Sequence, residues 1–203
     1  RVWSRGLGYV YKRQVDNKEL KNKLISIAIK ELLADRWHAL DIKRLSQLSK
    51  LPMEKVLLEC STKHNLIDYW SDNINSEMVE NLSILELKQV SKKERVLELM
   101  LCRFDAIKTK SKEINALINL SKKSVSESSN NFNRVIKGMR LILNYSDIST
   151  KGVNGIIKIK ALSIIWLITL REWNKGELVN EESIMSALDK RLTLAEKLNQ
   201  FIL

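Results

Sequence analysis

The chain has 203 residues, 44% of them hydrophobic, and a formal net charge of +11 at neutral pH. This length allows a real apolar core, and the two cysteines, Cys60 and Cys102, have no paired spacing, which excludes a disulfide-rich scaffold and fits a reducing cytoplasm. The longest apolar run, residues 161–170, is about half a membrane span and predicts a core helix.

The first residues, RVWSRGLGYVYKRQ, resemble the in-frame translation of a transposon-type sequencing adapter, usually read as SRGLGDVYKRQ, with Tyr9 where Asp is expected. We therefore expect residues 1–14 to be an adapter scar, with the true start of the protein missing. A basic signal-peptide region is the competing interpretation, but no apolar segment follows it. Without the scar, Lys+Arg falls from 35 to 31 against 24 Asp+Glu, so the net charge of +7 is only weak evidence for an anionic partner.

In the rest of the chain, apolar residues recur at intervals of three and four with few helix breakers, which predicts an all-helical protein. An amphipathic first helix is predicted over about residues 18–34. A second helix, capped by Asp41, leads through a turn at residues 49–51 into a third helix opened by Pro52. Two short helices joined by a tight turn form a helix-turn-helix pattern.

A larger helical body is predicted after this motif. A fourth helix should begin near residues 61–62 and continue to about Leu82. Ser91 and Glu94 have capping-box spacing, which predicts the start of the next helix. The polar stretch 121–131 is predicted to be a loop with a helix starting inside it.

The last part of the chain contains the most apolar helix. A long connection is predicted over 145–155, followed by a helix over 156–173 that is apolar on nearly every face and must be central or packed on another subunit. The last helix begins at Asn180. The predicted domains are therefore a helix-turn-helix domain, 15–62, and a C-terminal ligand-binding and dimerisation domain, 63–203.

The helix-turn-helix is the motif with a mechanism behind it. In a working version the third helix enters the major groove, its first side chains meet base edges, and neighbouring cations bind phosphates. The candidate phosphate contacts are Lys43, Arg44, Lys50, Lys55 and Lys63. The candidate base contacts are Met53, Glu54 and Leu58. Because Glu54 can only accept from cytosine and the other two offer only apolar contact, a packed three-helix unit without DNA binding is the alternative.

A set of positions between residues 24 and 67 carries a family pattern: Ala28, Leu32, Trp37, Ile42, Leu45, Leu51, Val56, Thr62 in place of Ser, Lys63, Leu66 and Ile67. At this spacing they resemble the N-terminal domain of TetR-type regulators. The chain departs from the pattern at the turn glycine, the phosphate-contacting tyrosine and the aromatic after it, which are here Lys50, Leu57 and Cys60.

Four segments of the C-terminal part extend this resemblance: ERVLELMLCRFDAI, KSKEINAL, ALSIIWLITLREW and ESIMSALDKRLTLAEKL. Their layout is similar to alphaproteobacterial TetR-like proteins and to the lipid-binding accessory family of ubiquinone biosynthesis (Coq-nine). The resemblance implies a homodimer through the last two helices and a cavity for an apolar small molecule or lipid. The candidate lining residues, each of which could equally be plain core, are Leu97, Met100, Leu101, Phe104, Met139, Leu162, Ile165 and Trp166.

Two functions are open. The first is a cytoplasmic TetR-like transcriptional regulator, in which ligand changes the spacing of the two DNA-binding motifs. The second is a lipid-binding accessory protein whose last helix touches the membrane surface. The intact length and core of the motif favour the regulator. We expect no enzyme activity, cofactor or metal, because no phosphate loop or nucleophile elbow occurs and Cys60 with His64 lacks a third ligand.

Overall fold

The computed structural model describes residues 3–80 and 88–197, with side chains from residue 17 onward. All regular structure in these residues is helical, which confirms the all-α prediction. The chain divides into two compact units, 1–71 and 72–203. This division falls within the fourth helix, whereas the sequence places the boundary at its start.

The N-terminal unit consists of short helices after one long one. The elements are α1 (Trp3–Leu33), a 3-10 turn (Trp37–Ala39), α2 (Ile42–Ser49), α3 (Met53–Glu59) and the first part of α4 (Lys63–Glu80). The predicted start of α1 near residue 18 is wrong: the helix begins at Trp3, and residues 3–18 contain no proline that would interrupt it. The identification of residues 1–14 as an adapter scar stays a prediction.

Each short helix of the N-terminal unit contributes to one apolar core. The side chains that are fully buried are Leu24, Ala28, Leu45, Val56, Leu66 and Ile67. Trp37 and Leu40 are also buried and fill the connection after α1, as predicted. Because burying one large aliphatic side chain contributes roughly 1.5–3 kcal/mol, this core can hold the short helices α2 and α3 in place.

The C-terminal unit contains the end of α4 and the helices α5 (Lys92–Lys108), α6 (Ser111–Lys123), α7 (Val125–Tyr145), α8 (Gly152–Asn174) and α9 (Glu181–Lys197). α7 packs against α5, α6 and α8, and α9 packs against α5 and α8. The predicted capping box is confirmed, because Ser91 and Glu94 each accept a hydrogen bond from the other's backbone N–H. The predicted end of the fourth helix at Leu82 lies outside the described residues.

All of the polar stretch 121–131 except Ser124 is helical, so the predicted loop is wrong, whereas the predicted helix start inside the stretch is confirmed at Val125. Only Ser124 separates α6 from α7, and its hydroxyl accepts from the N–H of Glu127 as a helix cap. Within α7, the Asn131 side-chain amide donates to the Leu117 carbonyl at 3.1 Å. The polar residues here cap and cross-link helices, which a composition-based interpretation cannot distinguish from a solvated loop.

α8 begins at Gly152, earlier than predicted, and is apolar and long enough to cross a membrane by length and composition. The core helix of a soluble protein passes the same test. In this unit α8 buries Ile159, Leu162 and Trp166 while it exposes Ile164 and Ile168. It therefore has one face in the core and one apolar face on the surface.

Candidate functional site

The turn between α2 and α3 keeps its geometry without glycine. Lys50 has φ 57° and ψ 36°, the left-handed conformation that glycine adopts without strain. The N–H of Leu51 donates to the Ser46 carbonyl at 3.2 Å, and the Ser46 hydroxyl donates to the Leu51 carbonyl at 2.6 Å. These bonds close the turn, so lysine takes the place of glycine at a conformational cost of roughly 1–2 kcal/mol.

Helix α1 holds both short helices through its lysines. Lys23 Nζ donates to the carbonyl of Ser49 at 2.8 Å, so a positive charge meets the last residue of α2. Lys21 Nζ lies 3.8 Å from a Glu59 carboxylate oxygen at the end of α3 and 4.1 Å from the centroid of the Tyr69 ring. α1 therefore fixes the C-terminal ends of α2 and α3.

Glu31 is a buried acid with two cationic partners. Only 4% of it is exposed, and its carboxylate accepts from Arg36 Nη2 at 2.5 Å and from Arg44 Nε at 3.0 Å. The hydrogen bond from Arg36 lowers the pKa of Glu31; burial acts in the opposite direction, and Arg44 adds to the lowering. Asp41 caps α2 as predicted, because its Oδ1 accepts from the Arg44 N–H at 2.7 Å. The predicted phosphate contact of Arg44 would compete with Glu31.

The five predicted phosphate-binding cations fall into two groups. Lys63 Nζ donates to the Trp37 carbonyl at 2.6 Å and lies 5.0 Å from the centroid of its ring, so it is engaged within the protein, as Arg44 is. The other three are exposed and make no ion pair with any residue that the structure describes: Lys43, Lys50 and Lys55. These three are the cations that a phosphate could reach at least cost.

α3 presents an unusual surface for a DNA-reading helix. Its buried side is Val56, while the predicted base contacts Met53, Glu54 and Leu58 are all exposed, Leu58 at 84%. Leu57, at the position of the phosphate-contacting tyrosine, is half exposed. The structure thus places the predicted base contacts on the accessible face of α3, and most of that face is apolar.

The predicted ligand-lining residues lie largely in the core of the C-terminal unit. Six are buried, whereas Leu97 and Leu101 are only half buried; the buried ones are Met100, Phe104, Met139, Leu162, Ile165 and Trp166. The rings of Phe104 and Trp166 have centroids 4.4 Å apart, and Trp173 lies 6.1 Å from Phe104. The lining role stays a prediction for all eight.

Arg103 is a residue of this core that the sequence analysis missed. It is 5% exposed, its Nη1 donates to Asn75 Oδ1, and its Cζ lies 5.1 Å from the centroid of the Trp166 ring. Its Nε has no hydrogen-bond partner among the described residues. Burial lowers the pKa of Arg103 to about 10, with no carboxylate acting against it.

A sequence signal for this position did exist. Val96, Met100 and Ile107 lie on the same side of α5 at helical spacing and are buried, and Arg103 falls in that stripe. A cation within an apolar stripe predicts either a buried partner or a function. Among the described residues, the structure shows no carboxylate partner for Arg103.

Neither cysteine has the lowered pKa of a reactive thiol. Burial raises the pKa of Cys60, and burial together with Glu98 and Asp105 raises the pKa of Cys102 to about 11, so both are protonated thiols at neutral pH. In the part of the chain that the structure describes, no group of three or more His, Cys, Asp or Glu side chains could hold a metal ion. His64 contacts the Trp37 ring, with centroids 5.6 Å apart.

The sequence matches no protein-family model, and no curated protein matches it. Solved structures do share its fold. A TetR transcriptional regulator from Nitrosomonas europaea ATCC 19718 superposes with a TM-score of 0.62 at 18% identity, over 88% of this chain and 99% of that chain. A protein described as a candidate TetR-family transcriptional regulator from Syntrophomonas wolfei str. Goettingen gives 0.63 at 15% identity, over 91% and 98%.

These likenesses confirm the predicted fold. The chain has the all-helical fold of TetR-family regulators, with an N-terminal helix-turn-helix unit and a C-terminal helical bundle. No comparison supports the predicted closeness to alphaproteobacterial proteins or to the ubiquinone-biosynthesis family.

Proposed function

We propose that the chain is a cytoplasmic transcriptional regulator that binds DNA through α2 and α3 and an apolar molecule in the C-terminal unit. The observation that carries the proposal is the turn at Lys50, which keeps the left-handed geometry despite the loss of glycine. A motif serving only as scaffold has no need of a strained turn that keeps α3 in position after α2. The fold shared with TetR-family regulators supports the same assignment.

DNA binding in this proposal is mainly electrostatic. The exposed Lys43, Lys50 and Lys55 bind phosphates, while the engaged Arg44 and Lys63 stabilise the motif that presents them. Glu54 accepts from the cytosine amino group in the major groove, and the apolar Met53 and Leu58 contact thymine methyl groups. With one polar reader, discrimination between operators should be modest and strongly dependent on salt.

Ligand control requires a dimer, which we assign to α8 and α9. These helices expose large apolar side chains that have no other role in the unit: Ile164, Leu167, Ile168, Met185 and Leu194. Burying them against a second copy would join two helix-turn-helix motifs at a fixed spacing. A ligand among the candidate lining residues then changes operator affinity by as much as it prefers one dimer arrangement over the other.

The decisive experiment is DNA binding as a function of salt, using the region upstream of the protein's own coding sequence and a shuffled control. Three lysines in each of two protomers give roughly six phosphate contacts, so the log–log slope should be about five. Lys55→Gln removes one contact per protomer and should lower the slope by about two. Lys112→Gln, which removes an exposed cation of α6, is the matched control. Equal binding to shuffled DNA, or a slope near zero, would refute the regulator.

Dimer formation is tested separately by light scattering after gel filtration. Ile168→Glu places a charge on the exposed apolar face of α8 and should give a monomer that stays folded by circular dichroism. Lys160→Glu, at an exposed polar position of the same helix, is the control. A wild-type monomer at micromolar concentration would contradict the assignment of α8 and α9 as the interface.

One observation favours the alternative, a lipid-binding accessory protein of ubiquinone biosynthesis. The exposed face of α3 is largely apolar, with Met53, Leu57 and Leu58 on it, which suits a surface that no longer reads DNA. Mass spectrometry of an organic extract of the purified protein tests this function. A co-purified isoprenoid together with no operator preference would establish it over the regulator, whereas operator preference would exclude it.

A further inference from the structure

The C-terminal unit contains a buried cation, Arg103, that has no carboxylate partner among the described residues. Arg103 is 5% exposed and has one side-chain hydrogen bond, to the neutral amide of Asn75, and one ring contact, to Trp166. Among the described residues, its Nε has no hydrogen-bond partner and its guanidinium forms no ion pair. By contrast, the partly buried Arg191 of the same unit has a carboxylate partner, Glu172, at 2.5 Å.

The known contacts of Arg103 do not balance its desolvation. Taking a cation out of water costs several kcal/mol even after relaxation, and a bond to a neutral amide with a face-on aromatic ring recovers only part of this. An arginine that serves packing alone is therefore a poor choice at this position. An apolar residue of similar volume would give a more stable core.

Gly138 shows that the unit is shaped around this guanidinium. A Cβ added at Gly138 would lie 2.7 Å from Arg103 Cζ, closer than real Cβ contacts come. Gly138 lies inside α7, where glycine costs about 1 kcal/mol relative to alanine. Two unfavourable features, a buried charge and a helical glycine, thus serve one group.

The surroundings of the guanidinium are apolar and adaptable. Trp166 contacts the guanidinium, and the Phe104 ring is tilted against Trp166 with centroids 4.4 Å apart. Met100 and Met139 are buried in the same unit, and thioether side chains fill irregular space around different shapes. A group that satisfied Arg103 from outside the chain would therefore need one anionic end and an apolar body.

We propose that the ligand of the C-terminal unit is an apolar carboxylic acid whose carboxylate binds the guanidinium of Arg103. This inference rests on the ligand-binding half of the proposed function and names the ligand class. Guanidinium and carboxylate match in a bidentate, charge-assisted pair, and Arg103 Nε is a donor that such a pair uses. The apolar body of the ligand packs against the aromatic pair, and the carboxylate supplies the anion that Arg103 lacks among the described residues.

The test compares acids with the matching alcohols by isothermal titration at neutral pH. Decanoate is paired with decanol, and naphthoate with naphthalenemethanol, so that chain-like and ring-like bodies are both sampled. The wild-type protein should bind at least one acid about tenfold more tightly than its alcohol, the factor expected for a hydrogen bond to a charged group. Arg103→Met should bind both members of that pair equally, and Arg103→Lys should keep part of the preference.

Arg191→Met is the matched control, because it removes a cation of the same unit that already has a carboxylate partner; it should keep the acid preference. Circular dichroism checks the fold of each variant. Alcohol binding reports the apolar site of the proposed function, and the acid-to-alcohol ratio reports this inference. Equal binding of acid and alcohol by wild type, or a preference that survives in Arg103→Met, would overturn the inference and leave the apolar site standing. Binding of no probe would overturn both, while the DNA titration still decides the regulator.

Discussion

The two units each bury a charge, and they treat it in opposite ways. In the N-terminal unit the carboxylate of Glu31 accepts hydrogen bonds from Arg36 and Arg44, so its charge is matched on the spot. In the C-terminal unit the guanidinium of Arg103 meets a neutral amide and an aromatic ring, with an unpaired Nε. A buried charge that is paired with opposite charges holds its neighbours in place, whereas a buried charge without such a partner can still bind an ion or ligand of opposite charge.

This difference agrees with the part each unit plays in the proposed function. A DNA-binding unit must present the short helices α2 and α3 in one arrangement, and the Glu31 cluster ties α2 to the end of α1. A ligand-binding unit must instead gain stability when its ligand arrives. An internal group that is satisfied only by that ligand provides the gain.

The largest expected effect is that of Gly138→Ala, which removes the space for Arg103. The added methyl group overlaps the guanidinium, so we expect the free energy of unfolding in urea to fall by about 3 kcal/mol. In an Arg103→Ala background the same substitution should instead stabilise the chain by roughly 0.5–1 kcal/mol, because the overlap is gone and alanine is the better helix former. Costs that add independently in the double variant would show that the two positions are not coupled.

The next effect is that of Glu31→Gln, which leaves two arginines facing a neutral group. We expect it to destabilise the N-terminal unit by about 2 kcal/mol, since bonds between charged groups become weaker ones. Hydrogen exchange of the α2 amides measures the local loss. Glu177→Gln, at an exposed ion pair, should change the stability by less than about 0.5 kcal/mol.

The pH dependence gives a second test of the Glu31 cluster. The pKa of Glu31 lies below its ordinary value of 4.5 in the folded chain, so the unfolded chain takes up the proton first. The stabilisation from this group is therefore complete above pH 4.5 and is lost as the pH falls through the folded-state pKa. Wild type should lose more stability on acidification than Glu31→Gln does, and parallel curves would contradict the cluster's role.

Arg103→Met sharpens the contrast with Glu31. Replacing a buried cation that lacks an anion by an apolar side chain should raise the unfolding free energy of the ligand-free protein by about 1 kcal/mol. Loss of a charge thus weakens one unit and strengthens the other. A fall of about 2 kcal/mol or more in urea unfolding would mean that Asn75 and Trp166 already satisfy the guanidinium.

The smallest effect is expected from Lys50→Gly, which restores the residue type that the turn geometry suits. It relieves the left-handed strain and should stabilise the N-terminal unit by about 0.5–1 kcal/mol. It also removes a phosphate contact in each protomer, so the salt slope of DNA binding should fall by about two. Lys43→Gln is the control, because it should lower the slope without any gain in stability.

Most of the fold can be predicted from the sequence because helix caps and apolar spacing are local features of the chain. Asp41, Ser91 and Asn180 cap helices where their spacing predicts, and Trp37 is buried as its place in the motif requires. The sequence also predicts the helix that starts inside 121–131, but the loop predicted before that helix is absent for a different reason. Polar side chains there bond to neighbouring helices, and a single sequence does not reveal those partners.

The candidate site is harder to predict because the role of each charged side chain depends on which residue it contacts in the folded chain. Lys43 and Arg44 are adjacent and read alike in sequence, yet one is exposed and the other is committed to Glu31, thirteen residues earlier. Lysine at position 50, where the family pattern has glycine, suggests from sequence that the turn is lost, but the backbone of Lys50 keeps the left-handed turn geometry. The stripe that contains Arg103 is visible in sequence, while the missing carboxylate is apparent only once the helices are packed.

The close approach of Arg103 to Gly138 also constrains how such proteins can diverge. A side chain at position 138 would displace the guanidinium from its present place, and a chain without arginine at 103 would lose this reason for a glycine in the helix. The two residues should therefore change together among related sequences. An arginine in α5 together with a glycine in α7 would then identify, from sequence alone, relatives that share the proposed acid ligand.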